Sequence, residues 1–198
     1  MSRIAFLDVD TQVDFMVRGG GLYAEGAEAI NDNLWRLVRH AELRRIPLIA
    51  TVDAHAPDDP EFKSWPPHCV RGTPGQRKIP QTTVSDAVIV PNEPANDLPD
   101  PRRTHIVLEK QDFPVFTNRL AERVFAATEA ETFVVFGVVT EVCVKHAVMG
   151  LLQRGYKVQL VQDAIWPIAE ATGRVALKEM VSAGAELVST DQVLGKDD

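Results

Sequence analysis

The sequence predicts one α/β domain, built on an open, doubly wound and mostly parallel sheet that is flanked by helices. Three observations lead to this prediction. The 198 residues, 45% of them hydrophobic, suffice for one core of ordinary size but not for two domains. Short runs that resemble β-strands alternate with longer runs whose apolar side chains recur every three or four residues. Such alternation is typical of βαβ units, whose strands run parallel.

Six short apolar runs are predicted to be strands, and four longer amphipathic runs between them are predicted to be helices. The strands are Ile4–Val9, Pro47–Val52, Thr104–Glu109, Thr132–Gly137, Lys157–Gln162 and Ala185–Ser189. The helices are Glu28–Arg44, Arg119–Ala127, Glu141–Arg154 and Glu170–Ala183.

From residue 54 to about residue 100 the pattern lapses into Pro, Gly, Asp and Asn, apart from a short apolar patch at Ala87–Val90. This stretch contains Trp65, His68 and Cys69, which are costly residues to leave on a solvated linker. We therefore predict an ordered loop that helps to build a site. The last four residues, 195–198, are predicted to be frayed.

The formal net charge of -7 argues against nucleic-acid or membrane-surface partners, which require clustered Lys and Arg. A small neutral or cationic ligand fits this charge better. The first apolar run is too short for a signal-peptide core, and no run reaches the length of a membrane span. We therefore expect a cytoplasmic protein in which Cys69 and Cys143 are thiols. Whether copies of the chain form a homo-oligomer is left open.

Polar side chains follow four of the predicted strands, where ligands of open α/β sheets bind. A single polar residue at a strand end is usually a helix cap or a solvated turn, so the indication comes from several such positions that converge on one edge. They are Asp10 after the first strand, Asp53 and His55 after the second, Lys110 after the third, and residues 140–143 after the fourth.

Cys143 is the candidate nucleophile among these residues. Thr140 is predicted to cap a helix that begins at Glu141, which places Cys143 in the first turn. Free N–H groups and the helix dipole at that position stabilise a thiolate, and the same N–H groups can bind an oxyanion. Asp10 is then the general base and acid, while Lys110 lowers the thiol pKa and holds Asp10 in position. An inert, buried cysteine is the alternative interpretation.

A second group of residues predicts a site for one divalent transition metal ion. Two imidazoles and two carboxylates form a donor set that suits Zn, with Fe or Mn as alternatives. These candidate ligands are Asp53, His55, Glu61 and His68. Two prolines stiffen the backbone between Trp65 and His68 and restrict where both side chains point. The remaining histidines are interpreted as structural, namely His40, His105 and His146.

These motifs resemble those of the isochorismatase-like cysteine hydrolases, and within that family the nicotinamidases. Residues 10–15, Asp-Thr-Gln-Val-Asp-Phe, are similar to the family signature Asp-x-Gln-x-Asp-Phe, whose first Asp is catalytic. Residues 137–144, Gly-Val-Val-Thr-Glu-Val-Cys-Val, are similar to the segment that carries the family's nucleophile. Asp-x-His at residues 53–55, followed by Trp-Pro-Pro-His-Cys at 65–69, is similar to the metal motif that distinguishes nicotinamidases from metal-free relatives.

The resemblance covers residues 10 to about 163 and implies the family fold, a central parallel sheet flanked by helices. It implies a catalytic triad of Asp10, Lys110 and Cys143, because Lys110 occupies the place of the family's lysine. It further implies an oxyanion hole formed by the N–H groups of Val139 and Cys143, with a cis peptide bond between Val138 and Val139.

By the same resemblance, Phe15 and Trp65 line a slot for a planar ring; ordinary core packing is the alternative. One position departs from the family pattern. Many nicotinamidases have a third His where this chain has Glu61, so Asp58 and Asp59 are fallback ligands.

The reaction that the resemblance implies is hydrolysis of nicotinamide, or of an analogue, to nicotinate and ammonia through a thioester on Cys143. One alternative is another amide or carbamoyl hydrolase of the family with a non-pyridine substrate, against which the metal motif weighs. Another is a non-catalytic protein that binds small molecules on this fold. A third is a metal-hydroxide hydrolase in which Cys143 is incidental.

Overall fold

The computed structural model describes residues 3–195 and contains one seven-stranded sheet in which every pair of neighbours runs parallel. Its strands are β1 Ile4–Val9, β2 Leu48–Asp53, β3 Val88–Val90, β4 Ile106–Lys110, β5 Thr132–Val138, β6 Lys157–Trp166 and β7 Glu186–Val188. Their order across the sheet is β3-β4-β2-β1-β5-β6-β7. The predicted open parallel sheet is confirmed, and each of the six predicted strands is present.

The strand order creates a switch point beside β1, the central strand. From β1 the chain places β2, the edge strand β3 and then β4 between them, all on one side, and it returns to place β5 on the other side. Ligands of doubly wound sheets bind at such a point, beyond the carboxyl ends of the strands. The residues that end β1, β2, β4 and β5 are therefore the ones that the topology brings together.

Helices cover both faces of the sheet, as predicted. They are α1 Val13–Met16, α2 Asn31–Arg44, α3 Ala121–Ala127, α4 Lys145–Gln153, α5 Glu170–Ser182 and α6 Thr190–Leu194. On one face, Phe125 of α3 and Val148 of α4 pack in a cluster with Phe133 of β5. On the other face, Leu34 and Leu37 of α2 belong to the cluster that includes Phe6 of β1 and Phe136 of β5.

Three of the predicted helices differ from the structure at their N-terminal ends, and for α3 the difference is two residues, Ala121 instead of Arg119. The first is preceded by a 3-10 turn at Ala27–Ile30, and α2 itself begins at Asn31. The run predicted as Glu141–Arg154 is divided into a π-helical turn, Thr140–Val144, and α4. This division matters because Cys143 lies in the π-helical turn.

The predicted loop from residue 54 to about residue 100 contains regular elements. They are 3-10 turns at Pro60–Lys63, Pro74–Gln76 and Pro80–Thr82, and the edge strand β3, which the apolar patch at 87–90 forms and which was not predicted. The loop is anchored to α1, because the backbone N–H of Cys69 donates to Asp14 Oδ2 at 2.6 Å. Both Cys69 and Cys143 are free thiols, as expected.

Gly137 allows β5 to pass close to β1 immediately before the site. Its φ is +119°, and a Cβ atom there would lie 2.1 Å from the carbonyl oxygen of Val9. At the C-terminal end, Gly195 adopts the left-handed conformation that ends α6. The rest of the segment predicted to be frayed, residues 196–198, lies outside the described residues. Within residues 3–195, the helices are too short or too polar to cross a membrane.

Candidate active site and metal centre

Three strand ends deliver the charged groups of the site. Asp53 and Lys110 are the final residues of β2 and β4, and the parallel register pairs them directly. Both had been predicted to follow their strands, so the two strands extend one residue further than predicted. Asp10 does follow β1, in the left-handed conformation with φ +50°. Its N–H donates to the carbonyl oxygen of Thr51 at 3.2 Å.

The side chains of the predicted triad meet below the protein surface. Lys110 Nζ lies 2.8 Å from Asp10 Oδ2, forms an ion pair with Asp53, and donates to Cys143 Sγ at 3.6 Å. The Thr51 hydroxyl donates to Asp10 Oδ1 at 2.6 Å. The side chains of Asp10 and Lys110 are 0% and 1% exposed, so these contacts form away from bulk water. The structure thus brings Asp10, Lys110 and Cys143 together.

Burial dominates the electrostatics of this cluster. It raises the pKa of Asp10, because removal from water disfavours the carboxylate. Burial alone would lower the pKa of Lys110, but the charges of Asp10 and Asp53 outweigh it and hold that pKa well above its usual value. Burial also raises the pKa of Cys143 well above its usual value, more than Lys110 lowers it. Burial therefore opposes the stabilisation of a Cys143 thiolate that the sequence predicts, and the protonation state of this residue stays a prediction.

The backbone around Cys143 differs from the predicted capped helix. Thr140 is not the N-cap; its Oγ1 is buried without a hydrogen-bond partner, and Val139 precedes the π-helical turn. The Val139 carbonyl oxygen accepts from the N–H groups of Val142 and Val144, both at 3.1 Å, which widens the turn. The peptide bond between Val138 and Val139 is cis, as predicted.

A cluster of potential metal ligands lies beside the triad. One ligand atom each from Asp53, His55 and His68 lies within 4.8 Å of the others, and all three residues are buried. The Nε2 atoms of both histidines are 3.9 Å from Asp53 Oδ2, which is too long for a hydrogen bond. Two ligands bound to one Zn ion at about 2.0–2.2 Å lie at most about 4.4 Å apart, so these separations suit a shared ion.

The hydrogen bonds on the far side of each imidazole also favour a metal. His55 Nδ1 lies 3.0 Å from Asp59 Oδ2, and His68 Nδ1 lies 2.8 Å from the carbonyl oxygen of Pro66. In the neutral form of each ring, a proton held at Nδ1 leaves the Nε2 lone pair free, as in most histidine ligands of metals. His55 Nε2 is buried and has no hydrogen-bond partner. The donor set therefore fits a divalent transition metal ion.

The fourth predicted ligand, Glu61, lies at the border of this cluster. Its Oε1 is 3.7 Å from His68 Nε2, but Glu61 is not among the three residues whose ligand atoms all lie within 4.8 Å of one another. The fallback residues are placed elsewhere. Asp59 binds the far side of His55, as a partner that orients the ring, and Asp58 is exposed.

The same 4.8 Å criterion also groups Asp10, Asp53 and Cys143. The Lys110 ammonium already contacts all three of these side chains, so a cation occupies that position. Asp53 thus links the two centres: one carboxylate oxygen binds Lys110, and the other faces the two histidines.

A small cavity opens onto both centres. Phe15 and Trp65, the predicted ring-binding residues, line it together with Asp53, Glu61, His68, Val139 and Cys143. Sequence reasoning missed four further lining residues, which are Leu22, Phe113, Val142 and Ile168. Phe113 and Ile168 come shortly after β4 and β6, so an inspection of apolar as well as polar residues at strand ends could have found them.

Sequence reasoning also missed the residue that holds Asp53. The side-chain amide of Gln12 accepts from the Asp53 N–H at 2.7 Å and donates to the Asp53 carbonyl oxygen at 2.9 Å. It also donates to the carbonyl oxygen of Gln76 at 2.7 Å. The signature around Asp10 contains this Gln, which was the available signal.

Comparisons with known proteins agree with this architecture. Residues 5–192 match the model of the Isochorismatase domain family. The chain is 27% identical over 204 residues to a nicotinamidase of Escherichia coli (strain K12), covering 92% of this chain and 93% of the relative. It is 30% identical over 197 residues to a nicotinamidase/pyrazinamidase of Mycobacterium tuberculosis (strain ATCC 25618 / H37Rv), covering 93% and 97%.

Solved structures show the same fold. The pyrazinamidase of Pyrococcus horikoshii, in complex with zinc, has a TM-score of 0.78 at 26% identity, covering 94% of this chain and 99% of that one. An isochorismatase-like hydrolase from Alkaliphilus metalliredigens has a TM-score of 0.82 at 24% identity, with 100% of both chains covered. Because the family match spans nearly the whole described chain, the protein belongs to the isochorismatase family.

Proposed function

We propose that this protein is an amidohydrolase that converts nicotinamide to nicotinate and ammonia through a thioester on Cys143, beside a bound divalent metal ion. Relatives named as a nicotinamidase and as a nicotinamidase/pyrazinamidase support the choice of substrate. One observation carries the proposal. The Cys143 thiol, the Asp10 carboxylate and the Lys110 ammonium meet at a small cavity with aromatic walls.

The first half of the proposed reaction forms the thioester. Asp10 takes the thiol proton as Cys143 Sγ attacks the carboxamide carbon, and the N–H groups of Val139 and Cys143 hold the oxyanion. When the tetrahedral intermediate collapses, the carbon–nitrogen bond breaks and ammonia leaves with the proton from Asp10. The raised pKa of Asp10 suits a group that first accepts and then donates this proton.

The second half consumes one water molecule. Asp10 accepts a proton from water as its oxygen attacks the thioester carbon, and the carbon–sulfur bond then breaks. The proton returns to Cys143 Sγ, so nicotinate leaves and the free enzyme is restored. Throughout, Lys110 keeps its proton, because the neighbouring carboxylates hold its pKa high, and it stabilises negative charge on Asp10 or on sulfur.

The ion that Asp53, His55 and His68 would hold is Zn in our proposal, with Fe or Mn as alternatives, and Glu61 is the proposed fourth ligand. When bound, it supplies a Lewis-acid position that a neutral lone pair, such as that of a pyridine nitrogen, can occupy. Phe15 and Trp65 are proposed to hold the ring of the substrate between them.

The main rival is another amide or carbamoyl hydrolase with a non-pyridine substrate, and the cavity wall weighs against it where that substrate carries a carboxylate. None of the described side chains that line the cavity is Lys or Arg, whereas Asp53 and Glu61 are acidic. The Lys110 charge at its base is already paired with two carboxylates. A neutral amide therefore suits the cavity better than an anion. A role restricted to binding would leave the meeting of Cys143, Asp10 and Lys110 without a purpose.

The direct test measures ammonia and nicotinate released from nicotinamide by the purified protein, together with its metal content. We expect both products in equal amounts from the wild type and neither from Cys143→Ala. Release of ammonia from an N-carbamoyl amino acid but not from nicotinamide would replace the proposed substrate. Full activity of Cys143→Ala would favour the metal-hydroxide alternative.

A further inference from the structure

A buried ion pair behind Asp10 takes no part in the proposed chemistry. Lys78 Nζ lies 2.7 Å from Asp8 Oδ2, and the two side chains are 9% and 0% exposed. The same ammonium donates to Thr11 Oγ1 at 2.7 Å. The Thr11 hydroxyl in turn donates to Asp8 Oδ1 at 2.9 Å. The ammonium, the carboxylate and the hydroxyl thus contact one another from both sides of Asp10 in the sequence, and the Thr11 hydroxyl also lies 2.7 Å from the Thr82 hydroxyl.

These contacts lie on both sides of a turn that has an unusual backbone conformation. Asp10 has φ +50°, a region that non-glycine residues seldom adopt. The segment around Lys78 also holds the turn through its backbone. Lys78 forms an antiparallel bridge with Gln12, and the Ile79 N–H donates to the Thr11 carbonyl oxygen at 3.0 Å. Lys78 therefore contacts the residues before and after Asp10 without touching Asp10 itself.

Stability alone does not account for this pair. Removing two charges from water is costly, and replacing a buried ion pair by apolar residues of similar volume is often neutral or stabilising. The pair instead restricts the conformation of the turn at Asp10, because the Lys78 ammonium must bind Asp8 and Thr11 at the same time. The turn that it holds presents the Asp10 carboxylate to Lys110 at 2.8 Å.

We propose that Lys78 is a positioning residue that, by binding Asp8 and Thr11, fixes the Asp10 carboxylate in its orientation toward Cys143. The inference rests on the proposed function, since it takes Asp10 as the base that serves Cys143. A purely structural role would lower thermal stability and leave turnover by the folded protein unchanged. A positioning role lowers kcat with little change in KM, because Lys78 is not part of the cavity wall.

The main test removes both charges with the double variant Asp8→Leu/Lys78→Met, so that no unpaired charge stays buried. We expect a Tm close to that of the wild type, kcat lower by about a hundredfold and a nearly unchanged KM, because small misplacements of catalytic groups are costly. Lys78→Arg keeps the charge and the donors and should retain most of kcat. A double variant with wild-type kcat would overturn the inference.

Two further variants keep the inference testable if the double variant does not fold. Thr11→Val keeps shape and burial but removes the hydroxyl contact with Lys78, and should lower kcat by about tenfold, equivalent to about 1.4 kcal/mol in the barrier. Arg36→Met breaks an ion pair with Asp191 that joins α2 to α6, and should leave kcat unchanged. Wild-type kcat in Thr11→Val would contradict the inference even if the double variant fails to fold.

A readout without turnover separates this inference from the proposed function. The rate at which iodoacetamide alkylates Cys143 is followed by peptide mapping in the wild type, Asp10→Asn, Arg36→Met and the double variant. We expect slower alkylation in Asp10→Asn and in the double variant only. If Asp10→Asn reacts at the wild-type rate, Asp10 is not the base and the proposed mechanism fails. If only Asp10→Asn is slow, the inference about Lys78 fails and the mechanism stands.

Discussion

At the scale of single residues, each charge of the site is compensated by another charge rather than by water. The Lys110 ammonium lies between the carboxylates of Asp10 and Asp53 and against the thiol of Cys143. Removing one partner of a buried ion pair costs about 3–5 kcal/mol, because it leaves the other charge unpaired. The effect of a substitution at the site on the free energy of unfolding therefore depends on whether it preserves this balance of charge.

Cys143→Ala is expected to preserve it, because burial raises the pKa of Cys143 and so favours its neutral thiol. We expect loss of turnover by at least about a thousandfold, as for other enzymes that lose their nucleophile. Thermal unfolding should show a Tm near that of the wild type, and the metal content should be unchanged. The matched control is Cys69→Ala, which removes the buried thiol outside the cavity and should keep measurable activity. If Cys69→Ala lost activity and Cys143→Ala kept it, Cys143 would not be the nucleophile.

Asp10 and Lys110 should act as one unit with Cys143. Asp10→Asn and Lys110→Met are each expected to abolish most of the activity, and the double variant should be little worse than either single one. Their stabilities should differ, because Lys110→Met leaves two carboxylates unpaired and should lose about 3–5 kcal/mol in urea unfolding. Normal rates in Asp10→Asn would make Asp10 a structural residue.

Metal binding should depend on pH through His55. Burial alone would lower the pKa of His55, but the carboxylates of Asp53 and Asp59 raise it to about 9 in the metal-free site. Below pH 9 an ion must therefore displace a proton, so affinity should rise as pH rises, by about tenfold per unit between pH 6 and 8. Zn titration of the metal-free protein measures this slope. Affinity independent of pH would show that His55 carries no proton for the ion to displace between pH 6 and 8.

At the scale of elements, the sequence predicts the alternation of strands and helices well, and the residues at which they begin and end less well. The strands of the sheet centre were found because they are mostly apolar, whereas β3 was missed because it has three residues, two of them exposed. The ends of β2 and β4 were one residue off, because their mutual pairing, which no local pattern records, extends them to Asp53 and Lys110. The π-helical turn at Cys143 likewise depends on two N–H groups that share the Val139 carbonyl oxygen.

The loop that carries Glu61 and His68 is the element on which metal retention should depend. His68→Ala removes an Nε2 lone pair from the cluster and should abolish metal binding together with activity. Glu61→Ala should only weaken retention, because Glu61 lies at the border of the cluster. Metal analysis after dialysis against a chelator ranks the variants by the metal that they retain. The control is Lys63→Ala, at an exposed residue in the same 3-10 turn as Glu61. Full metal occupancy in His68→Ala would refute the site.

At the scale of the whole molecule, the site combines segments that are far apart in the sequence. Its polar members could be predicted because they lie at strand ends and belong to recognisable motifs. Its apolar wall could not be predicted as a set, because Leu22, Phe113, Val142 and Ile168 meet only when the switch point forms. The same wall, without Lys or Arg, complements the net charge of -7 in disfavouring anionic ligands.

This arrangement leads to a prediction about substrate choice. Three of the proposed metal ligands, Asp53, Glu61 and His68, border the same cavity as Cys143. In the proposed function the substrate spans the distance between them, with its ring between Phe15 and Trp65. Nicotinamide has both a ring nitrogen and a carboxamide in suitable positions. Benzamide has the same shape and scissile bond but lacks the nitrogen, and picolinamide carries the nitrogen in a different relation to the amide.

If binding of the ring nitrogen is worth about 3 kcal/mol in the transition state, kcat/KM should fall about a hundredfold for both analogues. The measurement compares ammonia release from the three amides by the metal-loaded protein. Metal content is checked in the same samples, so that a loss of the ion is not mistaken for discrimination. Equal rates on benzamide and nicotinamide would mean that the ring nitrogen is not recognised, and would favour an amide hydrolase with a non-pyridine substrate.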